Sequence, residues 1–141
     1  MNKIDNVKAA FSFDDPERSM ELISDDFQAT DSLGSPPMDK AGWFGMGNMM
    51  RASFPDIDYL IDDIELEGED VLVVGRFKGT FNNDLDLSPM NMGVIPANGK
   101  EVDFPDATSR VSFQGDKISK SHSLDTGLNA GMAGFISALE H

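Results

Sequence analysis

Apolar residues recur at three- and four-residue intervals over the first fifty positions, and that spacing predicts helices. Ile4, Val7 and Phe11 share one face of a short helix beginning near Asn2, and Asp15-Pro16-Glu17 supplies a capping acid followed by a first-turn proline. Two short N-terminal helices follow from this, with Met20, Ile23 and Phe27 continuing the buried side and Phe27 to Thr30 open to a brief strand. Asp31 to Pro37 reads as a loop by its turn chemistry. From Asp39 to Phe54 the positions Trp43, Phe44, Met46, Met49, Met50 and Phe54 form a broad helical stripe. Phe54-Pro55 ends it, because the residue before a proline resists the helical region. Gly42, Gly45 and Gly47 weaken this helix and allow close approach to a sheet or a ligand.

After Pro55 the period changes to two. Ile57, Tyr59 and Ile61 fall on one parity and Ile64 and Leu66 on the other, so a bulge near Asp62-Asp63 is expected. The turn Glu67-Gly68-Glu69-Asp70 leads into a strand from Val71 to Thr80, apolar on both faces at first and alternating later. The excursion from Phe81 to Gly99, rich in Asn, Pro and Met, has the length of a lid, a dimer contact or a disordered segment. Lys100 to Gln114 reads as the next strand, Gly115-Asp116 as a hairpin turn and Lys117 to Asp125 as the last strand. Leu128, Met132, Phe135, Ile136 and Leu139 then mark a closing helix. Helices first, a four-strand antiparallel meander next and a helix last define an α+β layout, with helices on one face of a strongly curved sheet. The whole chain, residues 1–141, fits one domain.

Charge and composition narrow the partners. With 11 basic against 25 acidic side chains, the net charge of −14 repels phosphate backbones and anionic headgroups, so no nucleic acid and no membrane is expected as a partner. No apolar run reaches the roughly 18 residues of a membrane span, and the first residues lack the basic-then-apolar order of a signal peptide. A soluble cytoplasmic protein is the expectation. The absence of cysteine removes disulfides, thiolate nucleophiles and cysteine-based zinc sites, leaving His122 and His141 as nitrogen ligands. Neither a metal nor a cofactor is expected.

Candidate chemistry gathers on the last strand. Asp125 ends it, where a carboxylate can exchange protons or cap the closing helix through backbone donors. His122, the one internal histidine, either orients a substrate carbonyl or shuttles a proton, or else pairs with a carboxylate on a half-buried strand. Asp103 and Asp106, across the hairpin, offer a second carboxylate if the register turns one inward. Ser121 to Asp125 holds the letters of a hydrolase triad, but neighbouring strand residues point apart, so no triad is expected. The acidic run from Asp62 to Asp70 lacks calcium-loop spacing and reads as a solvated turn. Met46, Met50, Met90 and Met132, with Trp43, Phe44, Phe77 and Phe104, offer a pliable apolar pocket lining, with plain core packing as the alternative.

Four segments in order carry a family resemblance: Phe54-Pro55-Asp56, Gly79-Thr80, Asp86-Leu87-Ser88-Pro89-Met90 with the stretch from Gly93 to Lys100, and Gly115-Asp116-Lys117-Ile118 leading to Asp125. Together they resemble the SnoaL-like polyketide cyclase family of the nuclear transport factor 2-like superfamily. The resemblance implies a cone-shaped curved antiparallel sheet wrapped by N-terminal helices and a C-terminal helix around an apolar pocket, commonly as a homodimer. It implies an acid/base carboxylate in the pocket and a metal-independent cyclase or isomerase acting on a small apolar carbonyl compound, ring closure by intramolecular aldol condensation being the family's best-known reaction. Asp125 would move the proton, with His122 or Asp106 polarising or orienting. Two departures stand out: Phe81 follows the Gly-Thr pair where family members often carry His, and His122 precedes Asp125 by three residues instead of four. The alternative is a non-catalytic small-ligand-binding domain, or a dimeric accessory domain, of the same fold.

Overall fold

The computed structural model describes residues 2–88, 91, 93–125, 136 and 139. Helix α1 (Lys3–Ala10) starts where the Asn2 side chain accepts the Asp5 backbone N–H, and α2 (Pro16–Leu22) where Asp15 accepts that of Arg18, with Pro16 in the first turn. Met20, expected on the buried side, is 49% exposed, because the stripe passes to Leu22 and Ile23 as the helix gives way to strand β1 (Ile23–Asp31). That strand is nine residues long, not brief. Strand β2 (Met38–Asp39) pairs antiparallel with it. Helix α3 (Lys40–Ser53) is capped by the Asp39 side chain on Gly42 N–H and stops at Phe54, before Pro55.

The remaining strands are β3 (Asp58–Glu67), β4 (Asp70–Thr80), β5 (Leu85–Asp86), β6 (Val94–Ile95), β7 (Glu101–Asp103), β8 (Ala107–Gln114) and β9 (Lys117–Ser123). The meander β3-β4-β8-β9 is antiparallel throughout, and the β3 register shifts between Ile61 and Asp63 as the change of parity requires. Beyond β9 the sheet is extended by β1, which lies parallel to it. The curved sheet is therefore mixed, with one parallel pairing inside an α+β fold. The expected strand from Lys100 to Gln114 is two strands, broken at Phe104-Pro105-Asp106; β7 pairs with Lys78 to Thr80 and β8 with Val71 to Gly75. Proline has no N–H for the ladder, which is why the strand divides there.

Two apolar clusters fill the interior. One joins Val7 and Ala10 to Ile23, Phe27, Val71, Val73, Val111 and Ile118 between the N-terminal helices and the sheet. The other holds Phe54, Phe81, Leu85, Leu87, Val102 and Phe104 under the β5–β6 ladder. Phe81, Leu85 and Leu87 thus anchor the 81–99 excursion in the core, while most of its other described residues are exposed. Ile136 and Leu139 are helical and pack on this second cluster; the rest of the predicted closing helix lies outside the described residues. Among the described residues no helix is long and apolar enough to cross a membrane.

Two of the family segments meet in space. Asp56 accepts the Thr80 backbone N–H on Oδ1 (2.6 Å) and its hydroxyl on Oδ2 (2.8 Å), so the exit of α3 is pinned to the end of β4. Gly79 makes room for this, since a Cβ there would lie 3.1 Å from Phe54 Cβ and 3.3 Å from Ile57 Cα. Thr80's backbone N–H, then its hydroxyl, hold the Asp56 carboxyl below the usual carboxylate range. A pKa lowered by folding stabilises the folded state above the unfolded value, and that contribution is lost as pH falls through the folded value. Asp56→Asn should therefore unfold at lower temperature than the parent chain at about pH 7, with the gap narrowing by about pH 3. Thermal melts at the two pH values read this directly, and a gap that stays constant would rule out the charge as its source.

Candidate functional site

Between α3, the connection from α1 to α2, and the inner face of the sheet lies a partly open cavity of about 330 Å³. Six rings wall it: Phe11, Phe13, Trp43, Phe44, Tyr59 and Phe77. They touch in a continuous series, with centroid separations of 5.7 Å for Phe13–Phe77, 5.1 Å for Phe77–Tyr59, 5.8 Å for Tyr59–Phe11, 5.7 Å for Phe11–Trp43 and 5.2 Å for Trp43–Phe44. Tilted and edge-on contacts of this kind hold rings in fixed mutual positions. Met46, Gly47 and Met50 complete the α3 side, and Ser12, Ser19, Arg51, Ser109 and Ser121 bring the polar groups.

The inner face of the sheet follows from register. Tyr59 pairs with Phe77, Gly75 with Ala107 and Val111 with Ser121, so these positions share the cavity side. The Tyr59 ring lies across β4 where Gly75 has no side chain: a Cβ there would sit 2.5 Å from both Cζ and Oη of Tyr59. Burial first, then the negative charges of Asp62 and Asp106, push the Tyr59 hydroxyl up to about 12. At neutral pH it is a protonated donor at the cavity wall.

Of the residues expected to line a pocket, Trp43, Phe44, Met46, Met50 and Phe77 border this cavity. Phe104 does not. The break at Pro105 turns it into the second cluster, edge-on to Phe54 at 5.8 Å. Met90 and Met132 lie outside the described residues.

The three residues expected to carry chemistry each have different partners. Ser121 borders the cavity, so His122, the next strand residue, projects to the outer face. There its Nδ1 is 2.6 Å from Thr30 Oγ1 and its Nε2 3.2 Å from Ser32 Oγ. Asp125 is half-buried past the end of β9, and its Oδ2 accepts the Thr108 backbone N–H at 2.9 Å. That bond places it one residue from Ala107 of the cavity wall. Asp106 joins a charged cluster with Arg76, Asp62 and Asp103. Arg76 Nη1 meets Asp62 at 2.6 Å, its Nε meets Asp103 Oδ1 at 2.8 Å, and Asp106 Oδ1 stands 3.9 Å from Nη1. A hydrogen bond with Asp62, then desolvation and the Asp62 charge, raise the Asp106 carboxyl above its usual range, while Arg76 holds Asp62 below it. Among the described residues no carboxylate lines the cavity, and no three His, Asp or Glu side chains converge as a metal site requires.

Phe13, Tyr59, Arg51 and the serines were not legible as site residues. Phe11 read as a helix face and Tyr59 as one member of an alternation, because periodicity reports burial and not what is buried against. One signal was present for Arg51: its helical neighbours at three and four residues, Gly47, Asn48, Phe54 and Pro55, include no acid.

Comparison with known proteins agrees with this fold. The SnoaL-like domain family matches residues 5–121. A candidate SnoaL-like polyketide cyclase from Jannaschia sp. CCS1 superposes with a TM-score of 0.69 at 12% identity, over 99% of this chain and 95% of that one. IdmH, a candidate polyketide cyclase from Streptomyces antibioticus, gives 0.65 at 22% identity over 85% and 88% of the two chains. TerC, co-crystallized with polyporic acid, gives 0.64 at 12% identity over 98% of each. At these identities the likeness is one of fold. No curated protein matches the chain at a significant level. With the family pattern extending over most of its length and the curled sheet of its structural neighbours, the chain belongs to the SnoaL-like domain family.

Proposed function

We propose that this protein binds a flat apolar carbonyl compound in the aromatic cavity and moves a proton on it, as a metal-independent cyclase or isomerase. The observation that carries the reading is the cavity itself: about 330 Å³ walled by six rings, with a handful of hydroxyls and one guanidinium as its polar groups. The protonated Tyr59 hydroxyl is suited to polarising a carbonyl oxygen, and Asp125, held at Thr108 one residue from the wall, would take the proton from the adjacent carbon once its side chain turns from that N–H into the cavity. In that step the C–H bond breaks, its electron pair forms the enolate, and the proton passes to the carboxylate. Several neighbours of this fold are described as polyketide cyclases, and TerC was co-crystallized with polyporic acid, which supports a small-molecule substrate. Pairing of two copies belongs to the same proposal. Leu72 and Val74 remain half-buried on the outer face of β4, and native mass spectrometry at micromolar concentration should find a dimer rather than a monomer.

A second reading is binding without turnover, favoured by the lack of a carboxylate among the described lining residues. The two separate in one experiment. Deuterium exchange at the α-carbon of 2-tetralone, followed by NMR in heavy water, reads proton transfer, while quenching of Trp43, the chain's single tryptophan, reads binding. Catalysis predicts that the protein accelerates exchange and that Asp125→Asn slows it at least about tenfold with binding unchanged. Quenching with no acceleration would leave a binding domain, and an unchanged rate in the variant would remove Asp125 from the mechanism.

A further inference from the structure

The four arginines are not equivalent. Arg18 pairs with Glu21, Arg76 with Asp62 and Asp103, and Arg110 with Glu67 at 2.6 Å. Arg51 alone has no carboxylate within ion-pair distance among the described residues, in a chain where acids outnumber bases 25 to 11. It is also the one that borders the cavity. Its guanidinium lies over the Phe13 ring at 5.0 Å, and Nη1 donates to Asn48 Oδ1 at 3.1 Å. Among the described residues its Nε is buried without a hydrogen-bond partner, as is that of Arg110, but Arg110 keeps the Glu67 carboxylate on its other edge and Arg51 has no such counter-charge. A guanidinium without a counter-charge beside an apolar hollow calls for an anionic partner that arrives from elsewhere. The field at the C-terminal end of α3 favours a positive charge there but supplies no carboxylate to pair with it.

We infer that Arg51 is a specificity residue, and that the cavity's ligand is an apolar ring compound carrying a carboxylate, received by the guanidinium beside Phe13. This rests on the small-ligand reading above and narrows it. The planar guanidinium fork matches the two oxygens of a carboxylate, whereas a neutral carbonyl uses a single donor. Desolvation by the surrounding rings strengthens such a pair, and the stack on Phe13 holds the fork in place. The rest of the lining contributes hydroxyls and apolar surface, which accept charged and neutral ring compounds alike.

The test uses two probes of matched shape, 2-naphthoate and 2-acetonaphthone, titrated against the full chain with Trp43 emission as readout. The parent protein should bind 2-naphthoate at least about tenfold more tightly, a difference equal to about 1.4 kcal/mol. Arg51→Met, which shortens the side chain to an apolar stem, should lose that preference, with the affinity for 2-naphthoate falling by the larger factor. Arg51→Lys, with charge but no fork, should fall between. Equal affinity for both probes in the parent protein overturns the inference while leaving the pocket reading intact, and needs no folded variant. Binding of neither probe overturns both. An Arg51→Met protein that keeps its preference for 2-naphthoate assigns the anion to another group and overturns the role of Arg51.

Discussion

Phe81→Ala is expected to cost about 3–5 kcal/mol of folding stability, among the largest effects of any single substitution in this chain. The ring is fully buried and stacks on Phe54 with centroids 5.1 Å apart and planes 20° from parallel. Its backbone is held as firmly: Phe81 N–H donates to Lys100 O, and Gly99 N–H donates to Phe81 O. Truncation would open a void between Phe54 and the buried Leu85 and Leu87, with backbone bonds on both sides limiting collapse. Urea denaturation of parent and variant reads the difference, and a loss below about 1 kcal/mol would mean that the excursion does not rest on this ring. Phe81→His, which restores what relatives often carry after the Gly-Thr pair, should also destabilise. The imidazole would sit in an apolar cluster without a hydrogen-bond partner. In this chain the position serves packing and not the cavity.

Local chemistry made much of this fold readable. Asn2, Asp15 and Asp39 cap helices through their own side chains, Pro55 stops α3, and Gly115 supplies the positive φ of 61° that the last hairpin uses. The bulge at Asp62 was readable for the same reason, since apolar positions that change parity within one strand stay on one face only if an extra residue enters the ladder. Long-range features were hidden. Ser24-Asp25-Asp26 interrupts the apolar pattern of β1, and nothing local says that this strand will lie parallel to β9, about ninety residues away in sequence. The cavity was half readable: the α3 stripe named Trp43, Phe44, Met46 and Met50, because one helix face must bury itself somewhere. Phe13 and Tyr59 join them through tertiary placement alone. Parity on β9 did carry information, for it places consecutive residues on opposite faces. The structure gives the inner face to Ser121, which leaves His122 with the outer hydroxyls of Thr30 and Ser32.

Gly75→Val tests the same logic at the centre of the sheet, and its sign runs against propensity. Valine is favoured over glycine in strands, by up to about 1 kcal/mol on surface positions, so a site decided by the backbone alone would gain stability. Here a Cβ would meet Tyr59 Cζ and Oη at 2.5 Å and the Leu60 carbonyl oxygen at 2.9 Å. The ring can swing aside. The carbonyl cannot, because it belongs to the strand that pairs with β4. Overpacking of this kind costs roughly 1–3 kcal/mol, and the added methyl groups together with the rigid carbonyl put the expected loss at the upper end, about 3 kcal/mol. Removing the ring separates the two contacts. If Tyr59 lies over Gly75, Tyr59→Ala and Gly75→Val combined should cost less than the sum of the single changes by about 1 kcal/mol or more, with the remainder due to the Leu60 oxygen. Strict additivity would mean that the ring never covered β4. The cavity should respond as well, since displacing Tyr59 breaks the ring series between Phe77 and Phe11. Gly75→Val should therefore weaken 2-acetonaphthone binding, read by Trp43 emission, even at temperatures where the variant is fully folded.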